Sequence, residues 1–437
     1  MVKRRYRLLL SAVLVFLAVL VVYGVLPLSP GSQNVLTVGA FAGSYWSLQN
    51  GNSYKILDDA IDLFEKENPG VRVQYVSGIT RDQYQEWLSG KKAEGKMPDV
   101  FLVPSDSFQS FAEIGAMQSL DGFIKHDNDF SEDVFYEKAL QSGRYRNMLY
   151  ALPYECSPVI MVMNRTLLQD NGIPEPRKDW TWNEFYEACR MTGVSEGEAS
   201  GQYGVIDYSW KDAFAANRVK LFNDKGTACD FTGDNINEAL ILLEQLSKLP
   251  KGKVISAGDF YKGVVAFEPM SFATYRARVQ NDLSYQNYSD FEWGYTSMPA
   301  GTAGDNVSRL DTLTVAISSD SHSKRDAWRF IKTLTATEAI QKEIYDYSEG
   351  LSPLKSVTED PAMEEYVLDR YGVVLDRDVI TYVMERAENE NRFPDYEELE
   401  TEVTTAVDSI LEDKSNIRME QIIWNRRINN YIKKLSY

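Results

Sequence analysis

Residues 60–76 read AIDLFEKENPGVRVQYV, and the fold is decided there. Ile56, Leu57, Ala60, Ile61 and Phe64 recur at helical spacing, which predicts a helix over 53–68. Asn68-Pro69-Gly70 stops it. Val71, Val73 and Tyr75 then alternate, the period of a half-buried strand. Upstream, Val35-Leu-Thr-Val38 reads as a short buried strand. Downstream, a helix is expected over 83–93, a strand over 99–103 and a helix over 108–114. Strand and helix alternating three times imply βαβ units and a parallel sheet. Ligands of such sheets sit beyond the carboxyl ends of the strands. That condition selects two loops, 39–46 and 104–107.

Further along, 150–154 and 159–163 read as two strands interrupted by Glu155-Cys-Ser-Pro158. Helices are expected over 180–190, 236–246 and 324–334, and strands over 205–208, 291–298 and 313–317. Gly193–Gly204 reads as a loop. The last forty residues read as helical, with Val403, Val407, Ile410 and Leu411 forming an apolar core stripe.

The chain has 437 residues, enough for two to three domains. A hydrophobic fraction of 44% with 25% charged residues excludes a disordered or polytopic membrane chain. Net charge is −18, from 46 basic and 64 acidic side chains. A body this acidic repels phosphate backbones, so nucleic acid is not expected as a partner. Two His and three Cys leave little for zinc or haem, and no metal or cofactor is expected.

Lys3, Arg4, Arg5 and Arg7 form a basic head, followed by the apolar run Leu8–Leu26. Residues 1–34 therefore read as a secretory signal or an uncleaved membrane anchor, with the body outside the cytoplasm. The anchor is favoured, because the small-x-small cleavage signals are poor and 19 residues just span the hydrocarbon layer. Cys156, Cys189 and Cys229 are an odd, sparse set, which favours buried thiols over a disulfide framework.

Several motifs carry nothing. Gly90–Met97 imitates a phosphate-binding loop, but Met97 replaces the hydroxyl residue and the segment runs from helix to strand, the wrong order. The acidic stretch 121–132 lacks the glycine of a calcium loop. His126 and His322 lie in polar surroundings without a nucleophile setting, so a Ser-His-Asp site is not expected. No catalytic residue is proposed.

The aromatic residues, 12% of the chain with 26 Tyr, say more. Tyr45 and Trp46 fall in the loop after the first strand, Tyr154 ends a strand beside Glu155, and Trp210, Phe272 and Trp293 fall near loops or strand ends. A flat ring in a wet cleft stacks on the apolar face of a sugar, and carboxylates such as Asp106 and Glu155 accept from its hydroxyls.

Ordered stretches then carry a resemblance. AIDLFEKENPGVRVQYV (60–76), MPDVFLVPSDSFQSFAEIGAMQSLDGFI (97–124), YALPYECSPVIMVMNRTLLQDNGIP (150–174) and WTWNEFYEAC (180–189) come first. AFEPMSFATY (266–275), WGYTSMPAG (293–301), LTVAIS (313–318) and GLSPLKS (350–356) follow. In this order they resemble the extracellular solute-binding proteins of ABC importers, the large maltose-binding-protein-like sugar-binding family. The resemblance implies an α/β fold of two lobes joined by hinge strands around a ligand cleft. It implies one lobe at 35–154 plus 300–346 and another at 158–292 plus 354–437, with hinges near 155–158, 293–299 and 347–353. Asp106 and Glu155 match the family's acidic ligand residues, Phe272 its stacking aromatic, Tyr45 and Trp46 its cleft loop, and Arg309 to Asp311 a segment at the cleft.

The implied function is an extracytoplasmic carbohydrate-binding protein, tethered to or associated with the outer face of the membrane. It would deliver a sugar to ABC permease subunits, and a monomer is expected. The alternatives are a membrane-tethered sugar sensor and, further off, a polysaccharide-active enzyme. Many relatives in Gram-positive cells carry a lipid-attachment cysteine, and no Cys precedes Cys156 here.

Overall fold

The computed structural model describes residues 34–46, 54–192, 201–223, 225–250, 253–281, 291–389, 393, 395–412 and 416–435. The basic head, Leu8–Leu26 and most of the 193–204 loop lie outside these residues.

The opening βαβ reading holds. β1 (Asn34–Gly39), α1 (Lys55–Glu67), β2 (Val71–Tyr75), α2 (Arg81–Ala93), β3 (Val100–Val103) and α3 (Ser105–Glu113) follow in that order. β1 lies parallel to β2 and to β3. α1 buries Ile56, Leu57, Ala60 and Phe64, the stripe its spacing predicts. Gly90 lies in α2, which runs on towards β3, so the phosphate-loop imitation has the helix-to-strand order expected of it.

One expectation is corrected. Residues 150–163 do not form two interrupted strands. After the short hairpin β4 (Arg144–Tyr145) and β5 (Met148–Leu149), a single 14-residue strand, β6, runs from Ala151 to Asn164. Its first half pairs antiparallel with β10 (Arg309–Ile317), up to Pro158 opposite Leu310. Its second half pairs antiparallel with β8 (Val265–Ser271) and β9 (Trp293–Thr296). Pro158 stands where the strand exchanges one neighbour for the other, and its missing N–H interrupts the ladder least there. A polar, proline-bearing run reads as a break when its partners lie more than 100 residues away.

The sheet order is β2-β1-β3-β10-β6-β8-β7, with β7 at Tyr203–Val205 rather than 205–208, and β11 (Glu388–Asn389) beside β10. Later helices are α4 (Trp182–Thr192), α5 (Trp210–Ala216), α6 (Asp234–Lys248), α7 (Phe272–Asn281) and α8 (Lys324–Ala336). α9 (Pro361–Tyr371), α10 (Arg377–Arg386), α11 (Tyr396–Glu412) and α12 (Ile417–Leu435) close the chain.

Buried apolar side chains form two clusters. One gathers the β1–β3 layer, α8, α9 and α10 through Met363, Val367, Ile380 and Val383, and Met270 of β8, Phe272 and Tyr295 of β9. The other gathers α4, α5, α6, α11 and α12, with Val403, Val407 and Ile410 of the predicted stripe at its centre. β6 contributes to both: Leu152 and Cys156 to the first, Met161 and Met163 to the second. All three cysteines are free and buried. Burial pushes their thiols above the usual range.

Candidate functional site

Beyond the carboxyl end of β1 the chain turns through Ala40–Trp46, and the backbone N–H of Ala42 donates to the Ile79 carbonyl at 2.6 Å. The turn delivers two aromatic side chains to a cavity of about 1120 Å³. Tyr45 lies under it, 7% exposed, and its hydroxyl donates to Asp311 Oδ1 at 2.9 Å. The same hydroxyl accepts the backbone N–H of Ser105, the first residue of α3, at 3.2 Å. Three segments distant in sequence thus meet at one phenol oxygen. Burial, then the Asp311 charge, holds that phenol well above its ordinary pKa, so it remains a donor.

Trp46 stands edge-on to Tyr45, ring centroids 4.7 Å apart. Its indole N–H donates to Glu155 Oε1 at 2.6 Å. Above Tyr45, the Arg81 guanidinium lies 5.1 Å from the ring centroid and donates to Asp106 at 2.9 Å. Arg81 opens α2, so the predicted loop of β3 and the helix after β2 are joined by this pair.

Two residues before Asp311 on β10, Arg309 donates to Asp212 Oδ1 at 2.9 Å. Asp212 is 4% exposed and belongs to a capping box: its other oxygen accepts from the Ser209 hydroxyl and backbone N–H at the start of α5. One carboxylate therefore both starts a helix and fixes a cation at the cavity. Ser271 and Thr274, at the β8–α7 junction, complete this side with hydroxyls 2.8 Å apart.

Of the ten residues singled out from the sequence, Tyr45, Trp46, Arg309 and Asp311 border this cavity. Asp106 reaches it through Arg81. Tyr154 and Glu155 border a separate small cavity of about 60 Å³ behind Tyr45. Glu155 is 3% exposed and accepts from Trp46, the Ser348 hydroxyl and the Gly350 N–H. Burial raises its carboxyl pKa, and those three donors oppose the rise.

Trp210, Phe272 and Trp293 are not at the cavity. Trp210 packs on Phe214 and donates to Thr404 of α11. Phe272 is fully buried against Tyr275 and Tyr295, and Trp293 against Phe260 and Phe291. Arg81, Asp212 and Tyr145 border the cavity and were not found from the sequence. The short polar run Arg144-Tyr-Arg-Asn147 was the available signal for Tyr145, as a tight hairpin turn.

Among the described residues, no group of three or more His, Cys, Asp or Glu could hold a metal ion. No helix among them is long and apolar enough to cross a membrane.

Known proteins share this fold. A multiple sugar-binding protein of Streptococcus mutans is 23% identical over 332 residues, covering 70% of this chain and 73% of that protein. The sugar-binding protein MalE of Xanthomonas citri superposes with a TM-score of 0.75 at 15% identity, covering 92% of this chain and 98% of that one. The cyclic α-maltosyl-1,6-maltose binding protein of Arthrobacter globiformis gives 0.73 at 16%, covering 92% and 99%. The fold is thus the two-lobe α/β fold of periplasmic binding proteins, as the resemblance implied. The family model described as bacterial extracellular solute-binding protein matches residues 49–341, and the chain belongs to that family.

Proposed function

We propose that the protein captures a carbohydrate outside the cytoplasmic membrane and presents it to ABC permease subunits. The observation that carries this reading is the Trp46 ring at the cavity, braced edge-on by the buried Tyr45, whose hydroxyl holds the Asp311 carboxylate at the same cavity. A ring face for the apolar side of a sugar and a carboxylate for its hydroxyls are what a pyranose needs. The cavity, about 1120 Å³, exceeds the roughly 300–1,000 Å³ of ordinary small-molecule pockets, so it suits an oligosaccharide. Relatives whose names specify sugars support the same class.

The mechanism we propose is closure of two lobes, 35–154 plus 300–346 and 158–292 plus 354–437, about crossings near 155–158, 293–299 and 347–353. Two of those crossings are neighbours: Cys156 and Leu351 exchange backbone hydrogen bonds of 3.0 and 2.7 Å. Ligand contacts made by both walls favour the closed state, and their differential energy sets its population. In this reading Tyr45, Trp46, Arg309 and Asp311 touch the sugar, Asp106 and Glu155 hold Arg81 and Trp46 for it, and no covalent chemistry occurs. Leu8–Leu26 serves as the secretory signal or, uncleaved, as the tether.

A thermal-shift screen of the purified protein against mono- and oligosaccharides, with peptides and polyols beside them, tests the proposal. A ligand at about 100 times its dissociation constant adds about 2.7 kcal/mol, a shift of several degrees. A carbohydrate hit without product formation is the expected result. A peptide or polyol hit with every carbohydrate flat overturns it.

A further inference from the structure

Five cations border the central cavity of a chain whose net charge is −18. Three are held by carboxylates: Arg81 by Asp106, Arg144 by Glu132 and Arg309 by Asp212. Arg146 and Lys225 differ. Both are exposed, and neither makes an ion pair with a carboxylate among the described residues.

Their placement is specific. Both border the central cavity and a second cavity of about 620 Å³, so they stand at the junction of the two. Arg146 sits in the turn between β4 and β5, whose two central residues, Arg146 and Asn147, have φ of 48° and 66°. That is the two-residue mirror-image hairpin turn, which ordinarily takes Asn-Gly. A long side chain in the left-handed region is uncommon, and such outliers gather at ligand clamps. The turn carries the Arg146 guanidinium over the Tyr145 ring, 4.9 Å from its centroid. Lys225 comes from the loop before α6, and the adjacent Gly226 packs on Phe393 of the second core cluster. The β4–β5 hairpin packs on the first cluster through Leu149 and Tyr145, so the two cations come from elements of different core clusters.

The acids nearby among the described residues do not neutralise the pair by contact. Glu113 borders both cavities, but its Oε1 already accepts from Gln109 at 2.9 Å and from Tyr145 at 3.5 Å. Asp395 borders the second cavity alone, and Asp207 the central one alone. Asp212 and Asp311 are engaged by Arg309 and Tyr45.

We infer that the ligand is an acidic oligosaccharide, a uronate-containing chain whose carboxylate is held between Arg146 and Lys225 while its rings extend into both cavities. The inference rests on the carbohydrate reading above. A planar guanidinium presents paired donors that match a carboxylate, and lysine adds a point charge. Tyr145 offers a ring face at the same junction.

Calorimetric titration of the full protein with oligogalacturonates, oligoglucuronates and oligomannuronates, against neutral oligosaccharides of equal length, tests it. An acidic chain is expected to bind at least tenfold tighter than its neutral counterpart, with the advantage shrinking between low and high salt. Arg146→Gln and Lys225→Gln are each expected to weaken the acidic chain about tenfold with unchanged melting points, and to leave any neutral chain within about twofold. A neutral chain binding as tightly as every acidic one, or variants that leave acidic affinity intact, overturns the inference while the carbohydrate reading stands. No binding by either class overturns both.

Discussion

Trp46 donates its indole N–H to Glu155 Oε1 across 2.6 Å, and through that bond the cavity wall is tied to the strand that passes between the two halves of the sheet. The same oxygen takes the Gly350 N–H at 2.8 Å and the Ser348 hydroxyl. Ser44, two residues before Trp46, donates to Glu349 at 2.7 Å. The loop after β1 and the segment 348–350 are therefore fastened twice, by the buried carboxylates of Glu155 and Glu349.

Glu155→Ala is expected to strand three donors: an indole N–H, a backbone N–H and a hydroxyl. Each buried unsatisfied group costs about 1–3 kcal/mol, so a loss of about 3 kcal/mol or more should appear in urea denaturation. Glu155→Gln keeps an acceptor and should lose less. A wild-type midpoint for Glu155→Ala would remove this carboxylate from the scaffold.

Asp311 is expected to separate binding from stability. It is half-buried at the cavity, and its carboxylate accepts from the Tyr45 hydroxyl at 2.9 Å. A hydrogen bond to a charged group contributes about 1.5–3 kcal/mol, and about 1.4 kcal/mol is tenfold in affinity. Asp311→Ala should therefore weaken a bound sugar about ten- to a hundredfold, while the melting point falls only slightly because the Tyr45 hydroxyl can donate to Ser105 Oγ, 3.1 Å away, instead. Tyr45→Phe should act in the same direction and less strongly. Unchanged affinity in both variants would move the site elsewhere.

The sequence made the scaffold of this site legible and its wiring illegible. β1, α1, β2, α2 and β3 were readable because each has its own period and Asn68-Pro69-Gly70 marks a boundary. Tyr45 and Trp46 followed from the rule that ligands gather beyond parallel strands. Arg81 and Asp212 did not, because their meaning lies in partners far along the chain: Asp106 is 25 positions from Arg81, and Arg309 is 97 from Asp212. Trp210, Phe272 and Trp293 do not border the cavity, and their placement was illegible for another reason. An aromatic ring near an element's end looks the same in sequence whether it faces a cleft or a core, and only packing against Thr404, Tyr295 or Phe260 decides.

Glu343 gives a pH dependence. Its carboxyl is pushed up from 4.5 to about 7, by burial first and then by Asp59. A raised folded pKa means the folded chain holds this proton more tightly than the unfolded one. The stabilisation is complete below about 4.5, the unfolded value, and is lost as pH rises through about 7. Melting temperature should therefore fall between pH 5 and pH 8, and Glu343→Gln should reduce that fall and raise the pH 8 value. Parallel pH profiles for wild type and variant would refute the assignment.

Gly350 and Glu155 should show energetic coupling. A Cβ on Gly350 would meet Glu155 Oε1 at 2.4 Å and its Cγ at 2.6 Å. The segment cannot retreat freely, because the Gly350 carbonyl accepts from Arg276 at 2.7 Å, and that fully buried guanidinium also holds the Tyr345 carbonyl at 2.8 Å. Gly350→Ala must displace either the carboxylate or the arginine, and overpacking of this kind costs about 1–3 kcal/mol. On a Glu155→Ala background the obstructing atoms are gone, so the same substitution should cost at least about 1 kcal/mol less. A double-mutant cycle read by urea denaturation measures the difference. Strict additivity would mean that the two residues do not press on each other, and the close approach of the 348–350 segment to β6 would have to be explained by the Cys156–Leu351 backbone pair alone.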